Sequence, residues 1–559
     1  MLSLSLLAAA AILLVAYLLK EAHYRRFKQY AVLPQLKPSF VWGHMKAIHE
    51  TGLRGRPGQH FDDTMFDIWE ELGRPPVFFT DFRPILYPLL VVANHEVAEQ
   101  ISSASSLFPW SVTKSPTNWL HIELNGHNGM PLLEGTKWKS SRKRFNPGFS
   151  HQHLTTLLPL IMEKSWLFMR NLDTYARTGE EFQLGALLTN LTFDIIGAAT
   201  LEVDFGAQLD KASQSEFIQA YKRLVASFID QDNPLTDYKQ KLFVRWRLER
   251  KVNRLLTEMI RGKLSESKQL GPDKKSRSIV ALASKDLDTV TPEMLTVIVD
   301  SVKSFLFAGH DTTSILLQWA FYELTRNPGA MKAVRSELDD IFGPDPDPTI
   351  VRDKLLSGED DAMARMVYTS AVIKEVLRLH PPAGSARYSK AGTGLKLRMP
   401  NGQGVIDADG MVLYICHSII QRDPAVYGET ANDFLPERWL GNTDTSMQTN
   451  NLAAGEKTGT TGVPASAWRP FERGPRNCIG QELTNIEARV ILACAVRRYD
   501  FTKVGLGELD LDASGQPKLN AKGEYEVKSE LYRTRVVTAR PIDNTVMTVK
   551  LNPKASFNL

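Results

Sequence analysis

From Leu2 to Leu19 the chain reads LSLSLLAAAAILLVAYLL, without a charged residue. In lipid such a run can satisfy its backbone polarity only as a helix. At about 1.5 Å per residue it reaches roughly 27 Å, close to the ~30 Å hydrocarbon core of a bilayer. Lys20, Arg25, Arg26 and Lys28 follow it, and positive charge on that flank holds it in the cytosol. A cleaved signal peptide would carry its basic residues before the apolar run and a small-residue cleavage site after it. Residues 1–20 are therefore expected to be an uncleaved, single-pass anchor, with the body cytosolic. Residues 21–60, with Pro, Gly and His frequent from 31 onward, are expected to be a hinge or linker onto a folded body at 61–559. Asn190-Leu191-Thr192 fits a glycosylation pattern, but in this orientation it would not meet the glycosylation machinery.

The body has enough apolar sequence for a large core. Of 559 residues, 43% are hydrophobic and 23% charged, an ordinary globular balance. A net charge of +4 is small against 67 basic and 63 acidic residues, so nothing points to nucleic acid as a partner. Cys416, Cys478 and Cys494 are the only cysteines. Without a CxxC pair a structural zinc site is not expected, and an odd, sparse count argues against a disulfide framework. His121 with His127, and His151 with His153, lack further ligands at useful spacing and read as surface or loop residues.

Residues 85–93 (ILYPLLVVA) read as a strand with a proline break. Helical patterns dominate from about 137 to 331. One long helix opens at Thr291-Pro292-Glu293, an N-cap, a first-turn proline and an early acid. It runs to about Arg326, where Asn327-Pro328 stops it. Another covers about 363–380, and residues 385–415 return to short strands and turns. Residues 441–467 are polar, low in complexity and expected to be a surface loop. The fold class is mainly α with small β-sheets (α+β).

The most informative segment is Phe471-Glu-Arg-Gly474-Pro-Arg476-Asn-Cys478-Ile-Gly480, followed by a helix-like stretch from Gln481 to Arg498. Alone, Cys478 would read as a small buried hydrophobe. A metal-binding thiolate, however, needs backbone N–H groups and a helix N-terminus to stabilise its charge, and Cys478 stands at that place. Gly474 and Gly480 allow a tight turn close to a flat ligand. Arg476 suits an anionic group, and Phe471 can shield the sulfur.

The long helix contains Ala308-Gly309-His310-Asp311-Thr312-Thr313. An interior glycine costs about 1 kcal/mol relative to alanine, and adjacent threonines are mediocre helix formers. Such a violation marks either a close helix crossing with a solvated Asp or a functional distortion. In the functional reading Gly309 gives a diatomic ligand room, Thr312 hydrogen-bonds it, and Asp311 passes protons inward. Elsewhere Glu375-Val-Leu-Arg378 places acid and base on one helix face, Pro436-Glu437-Arg438-Trp439 lies downstream, and Trp138-Lys-Ser-Ser-Arg142 aligns two side chains on one face.

Together these segments resemble the cytochrome P-450 superfamily, from about residue 75 to 540. F-x-x-G-x-R-x-C-x-G is similar to its haem-binding loop, A-G-x-D-T-T to its oxygen-activating helix, and E-x-x-R, P-E-R-W and W-x-x-x-R to its supporting motifs. The resemblance implies a triangular helical body, with haem b between the long helix and the cysteine loop. Cys478 would be the axial thiolate and metal ligand. Asp311 and Thr312 would be the catalytic acid–alcohol pair that delivers protons to dioxygen. Arg476, Trp138, Arg142 and, more weakly, Arg387 would hold the haem propionates. Glu375, Arg378 and Arg438 would brace the scaffold. Related fatty-acid ω-hydroxylases often carry Glu at the place of Ala308 and bond haem through it; Ala308 implies a non-covalent haem. Pro34 and Pro38 are scattered where microsomal members have a tight proline cluster.

The implied activity is O2-dependent monooxygenation of a hydrophobic small molecule at the endoplasmic reticulum membrane. Electrons would come from NADPH through a separate diflavin reductase, since the residues after Cys478 hold no flavin- or nicotinamide-binding pattern. The general look is that of fungal microsomal members acting on polyketides, terpenes or alkaloids. Fatty-acid or alkane hydroxylation, an oxygen-independent isomerase or dehydratase, and a non-catalytic tethered haem binder remain alternatives. Specificity is expected in segments such as 105–130 and 205–245.

Overall fold

The computed structural model describes residues 2–228, 241–269, 277–285, 290–358, 361–441, 462–534 and 538–556. Most of the expected 441–467 loop and part of the 205–245 segment lie outside these described residues. The chain forms two compact units. Unit 1 comprises Met1–Pro116, Gly384–Ala431 and Ser466–Arg476; unit 2 comprises Thr117–Ala383, Asn432–Ala465 and Asn477–Leu559.

The named strands are β1 (Val77–Asp81), β2 (Pro88–Val92), β3 (Phe182–Gln183), β4 (Ser385–Tyr388), β5 (Lys396–Arg398), β6 (Val405–Asp407), β7 (Val412–Ile415), β8 (Tyr499–Lys503) and β9 (Val546–Leu551). Unit 1 is built on a sheet ordered β1-β2-β7-β4, with β2 and β7 parallel, and a small β5-β6 hairpin. VFFTD and PLLVV do not alternate apolar with polar, because both sheet faces are covered. Successive side chains point to opposite faces. Val77, Phe79, Leu90 and Val92 meet Val97 and Ile101 of helix His95–Ser102. Phe78, Leu89 and Val91 meet Met65, Ile68 and Trp69 of helix Phe61–Glu71. The strand expected over 85–93 begins only at Pro88, where a missing N–H does least harm.

Residues 21–60, expected to be a linker, are instead packed onto this sheet. The N-terminal helix runs from Leu2 to Phe27, beyond the expected residue 20. Leu33 is buried in the sheet core, the Phe79 N–H donates to the Pro34 carbonyl, and a further helix spans Met45–Arg54. Buried apolar positions scattered at irregular spacing carry no helical or strand period, which is why the segment reads as a linker in sequence.

Unit 2 is mostly helical, with a β3-β9-β8 sheet. The long helix spans Pro292–Arg326, close to the bounds expected. The Thr291 hydroxyl accepts the Met294 N–H at its start, and Asn327 ends it before Pro328. Helix Leu184–Leu201 packs across it. That helix is apolar enough to span a membrane, with mean hydropathy 1.5, but 78% of it is buried, so it is a core helix. The helix expected over 363–380 is divided at Met366, which leaves helical geometry. The Glu337 carboxylate takes the Tyr368 and Thr369 N–H groups and starts a new helix, Val367–Leu379. This cap comes from a distant residue and has no local sequence mark. Helix Gln481–Arg498 follows Cys478 as expected.

One buried carboxylate organises much of unit 2. Glu375 and Arg378 are fully buried. Arg378 donates through Nε (2.9 Å) and Nη2 (2.7 Å) to Glu375. Arg438 Nε (3.0 Å), Trp439 Nε1 (2.8 Å) and the Leu435 N–H (3.0 Å) also donate to it, and Arg378 reaches the Asp433 carbonyl. Removing one partner of such a set leaves an uncompensated buried charge, at a cost of about 3–5 kcal/mol. Glu375→Gln is therefore expected to destabilise unit 2 by that amount. A thermal melt indistinguishable from wild type would show that the network does not brace the fold.

Candidate functional site

In unit 2, Cys478 lies just before helix Gln481–Arg498, and its side chain is exposed. Burial among surrounding protein atoms raises its thiol pKa; the Gly480 N–H, the Arg142 guanidinium and the Gln481 N–H act against that rise. The two N–H groups by hydrogen bonding and Arg142 by its nearby charge favour negative charge on the sulfur. A coordinated metal cation would complete the deprotonation. A Cβ on Gly480 would meet only the Cys478 sulfur, at 3.9 Å, so the space beside the sulfur is open.

Arg142 sits on helix Gly135–Phe145 with the buried Trp138 one turn earlier. Its Nη1 donates to the Asn477 carbonyl (2.7 Å), its Nη2 to Asn477 Oδ1 (3.0 Å) and its Nε to Asn146 Oδ1 (2.8 Å). It thus holds the residue that precedes Cys478. Burial lowers the Arg142 pKa, and the neighbouring Cys478 opposes this.

The long helix of unit 2 is buried from Ile298 to Phe305 and again from Thr313 to Leu324. Between these stretches Ala308 is exposed, and Phe307, Gly309 and Thr312 are half-buried. The Thr312 hydroxyl donates to the Ala308 carbonyl at 2.8 Å, one turn back on the same face. A Cβ on Gly309 would approach Ile196 to 2.8 Å, so this glycine permits the crossing of helix Leu184–Leu201. Asp311 is buried rather than solvated: it accepts from Arg540 Nη2 at 2.8 Å and from the Thr538 hydroxyl. His310 lies in an aromatic nest of Phe193, Tyr221 and Phe307, and burial lowers its pKa, which keeps the ring neutral.

A hydrogen bond joins the two parts. Thr313 Oγ1 and Thr484 Oγ1 are 3.2 Å apart, linking the residue after Thr312 to the first turn of the helix that follows Cys478. Cys478, Gly480, Trp138, Arg142, Gly309, Asp311 and Thr312 thus belong to one compact unit.

Phe471, Arg476 and Arg387 belong to unit 1. Phe471 is half-buried, with its ring edge-on to Trp468 at 6.1 Å. Gly474 has φ +73°, and a Cβ there would meet the Ser102 carbonyl at 2.2 Å, so only glycine fits this turn. Arg476 is buried in the short turn Gly474–Arg476. Arg387, on β4, is fully buried, with Nη1 3.3 Å from Ser111 Oγ and Nη2 3.8 Å from Glu472 Oε2. Burial pushes the Glu472 carboxyl up, but Arg469, His417 and Arg387 outweigh it and hold its pKa well below the usual carboxylate range. Sequence reading missed Glu472, Arg469, His417, Thr538, Arg540 and Thr484. Glu472 fills an unspecified position of its motif and pairs with Arg469 three residues earlier, just outside that motif, and the others meet their partners through long-range contacts that leave no local pattern.

These residues fit a haem-thiolate centre: an exposed sulfur, anion-stabilising donors around it and open space at Gly480. Among the described residues no group of three or more His, Cys, Asp or Glu offers another metal site. Cys416 and Cys494 are buried, and burial pushes the Cys494 thiol up to about 12.

Residues 51–519 match the family model "Cytochrome P450". The chain is 32% identical over 455 residues to cytochrome P450 monooxygenase acrF of Aspergillus aculeatus, covering 78% of this chain and 86% of that protein. It is 28% identical over 561 residues to cytochrome P450 monooxygenase polC of Polytolypa hystricis, covering 94% and 92%. A bifunctional cytochrome P450/NADPH–P450 reductase of Gibberella moniliformis shares 31% identity over 338 residues, 59% of this chain and 27% of that protein. With its thiolate loop, its long helix and these relatives, the chain belongs to the cytochrome P450 family and is a haem-thiolate monooxygenase, an oxidoreductase of fungal type.

Proposed function

We propose that the chain inserts one oxygen atom into a hydrophobic small molecule of secondary-metabolite type. The carrying observation is the Thr313–Thr484 hydrogen bond, which fixes the uncovered stretch of the long helix to the helix that begins at Cys478. Non-covalent haem b, when bound at Cys478, supplies oxygen activation, with the thiolate pushing electron density toward O–O cleavage.

The protein's own residues then have distinct tasks. The Gly480 and Gln481 N–H groups and Arg142 stabilise the sulfur's charge. Arg142 also fixes the backbone at Asn477, so the sulfur approaches its ligand from one direction. In unit 2, Trp138 and Arg142 are the candidates to receive the propionates. Thr312 presents its hydroxyl on the uncovered face, oriented by the Ala308 carbonyl. Asp311 precedes it on the helix, and its partner Arg540 is partly exposed, which supports Asp311 as the acid that relays protons from the solvent side toward Thr312. Ala308 offers no group for a covalent bond to haem.

Electrons come from NADPH through a separate diflavin reductase. A relative whose name joins a P450 to an NADPH–P450 reductase supports that class of donor. The N-terminal helix, exposed along its length with mean hydropathy 1.7 over Leu6–Phe27, supports membrane attachment, at the endoplasmic reticulum in this reading. Two relatives named as cytochrome P450 monooxygenases, acrF and polC, support the reaction class.

Two measurements test the site. Cys478→Ala is expected to abolish the red-shifted Soret band of the reduced, CO-treated protein; retention of that band would remove Cys478 as the iron ligand. Thr312→Ala is expected to keep haem and the CO spectrum but to divert NADPH electrons to peroxide or water, lowering product per NADPH by about 10-fold or more. Unchanged coupling would remove Thr312 from proton delivery.

A further inference from the structure

In unit 1 the backbone and the side chain of Glu472 work against each other. The residue has φ +55° although it is not glycine, and its side chain is only 10% exposed. A Cβ makes the left-handed conformation unfavourable, and burying a carboxylate is costly unless donors surround it. Such a conformation persists only where the surroundings fix it, and it concentrates at positions under functional constraint.

The surroundings of Glu472 meet that condition. Its Oε1 accepts from Arg469 Nη2 (2.7 Å), Ser102 Oγ (2.8 Å) and the Arg473 N–H (3.1 Å). Its Oε2 faces Arg387 Nη2 at 3.8 Å and His417 Nε2 at 3.9 Å. These partners come from helix His95–Ser102, from β4, from helix His417–Ile420 and from the loop itself. Arg469 is fully buried; its other carboxylate, Glu99, stands 3.5 Å away and is 33% exposed. The Arg469 N–H donates to Gln421 Oε1 (2.8 Å), and Arg473 Nε donates to Glu99 (2.9 Å). Gly474 lies too close to the Ser102 carbonyl for a Cβ. Arg469, Glu472, Arg473 and Gly474 therefore all press on one helix, and only Asn477 separates Arg476 from Cys478 in the chain.

We propose that Glu472 is a positioning residue for the haem thiolate: its buried carboxylate holds Arg469–Arg476 in one conformation and so fixes how the chain enters Cys478. The inference rests on the reading of Cys478 as the iron ligand. Two arguments favour it over a tolerated turn residue. A turn that needs only φ +55° is served best by glycine, yet this position carries an acid gathered among arginines. The sulfur is also sensitive to placement. Burial raises its thiol pKa, and the Gly480 and Gln481 N–H groups and the Arg142 charge oppose that rise. Hydrogen bonds weaken steeply as their geometry degrades, so a loop free to shift lets the sulfur take up a proton.

The test reads the thiolate, not turnover. The full-length holoprotein, reduced under CO, is held at a fixed moderate urea concentration, and the red-shifted Soret band and the far-ultraviolet circular dichroism are followed together. Glu472→Gln removes the charge and keeps the size; Glu472→Gly removes the charge and relieves the left-handed strain. Both variants are expected to lose the band about 10-fold faster than wild type or more, ahead of any loss of helical signal. A Gly variant that keeps the band as long as wild type would show a turn residue only and overturn the proposal. So would band and helix lost together, which is general unfolding. If Glu472→Gln takes up no haem, Ser102→Ala carries the test, since it keeps every charge and removes the hydroxyl between Glu472 and Arg469. Band loss about 3-fold faster than wild type, again ahead of helix, is then expected, and a wild-type rate overturns the proposal. A wild-type protein without the red-shifted band would instead sink the assignment of Cys478 as ligand.

Discussion

A helix of 35 residues that is buried over most of the span from Ile298 to Leu324 must spend its surface on neighbours, and this constraint shapes unit 2. Helix Leu184–Leu201 takes one face, and Gly309 lets it in against Ile196. The Thr192 hydroxyl donates to the His310 carbonyl at 2.7 Å, and Thr189 pairs with Ser314 at 3.2 Å, so the crossing is polar as well as apolar. The helix Gln481–Arg498 takes another part through Thr313 and Thr484. Within that span what remains uncovered is short: Phe307 to Gly309 and Thr312. The open stretch is defined by what the neighbours leave uncovered.

Buried charge supplies the second constraint. Desolvating a carboxylate costs several kcal/mol unless donors surround it. Glu375 meets this with two arginines, an indole and a backbone N–H. Asp311 meets it with Arg540 and Thr538. In unit 1, Glu472 accepts from Arg469 Nη2 (2.7 Å) and Ser102 Oγ (2.8 Å), with Arg387 and His417 near 4 Å. Two of these acids serve the cysteine loop's surroundings or the uncovered helix, and the third braces the scaffold. Each also fixes where its arginines point, which a neutral core could not do.

Much of this was legible in the chain. Thr291-Pro292 and Asn327-Pro328 bound the long helix because capping and proline stereochemistry act locally. The cysteine loop was legible because its glycines, arginine and sulfur lie within ten positions. Glu375 and Arg378 could be paired by their spacing, and Arg438 by family likeness. Thr538 and Arg540, the partners of Asp311, lie more than 200 positions away and follow no period. Gly309 looked like room for a ligand; its missing Cβ faces Ile196, a direction that sequence spacing does not contain. Residues 21–60 looked like a linker because their buried contacts are single and irregular.

The Arg26 cluster and the Gly309 crossing solve related problems. In each, a residue without a side chain, Gly43 or Gly309, lets two elements approach until polar groups meet. At Gly43 the approach brings the Arg26 guanidinium onto the Phe40, Val41 and Arg83 carbonyls and the Asp81 carboxylate, fixing the N-terminal helix to the sheet of unit 1. At Gly309 it brings Thr192 onto the His310 carbonyl and leaves Ala308 and Thr312 on the open side. Replacing either glycine would do more than add a methyl group. At Gly43 it would force a left-handed residue against a buried ion pair. At Gly309 it would push the crossing helix away and turn the Thr312 face. The N-terminal helix and the uncovered stretch of the long helix therefore both depend on a close backbone approach that a Cβ would prevent.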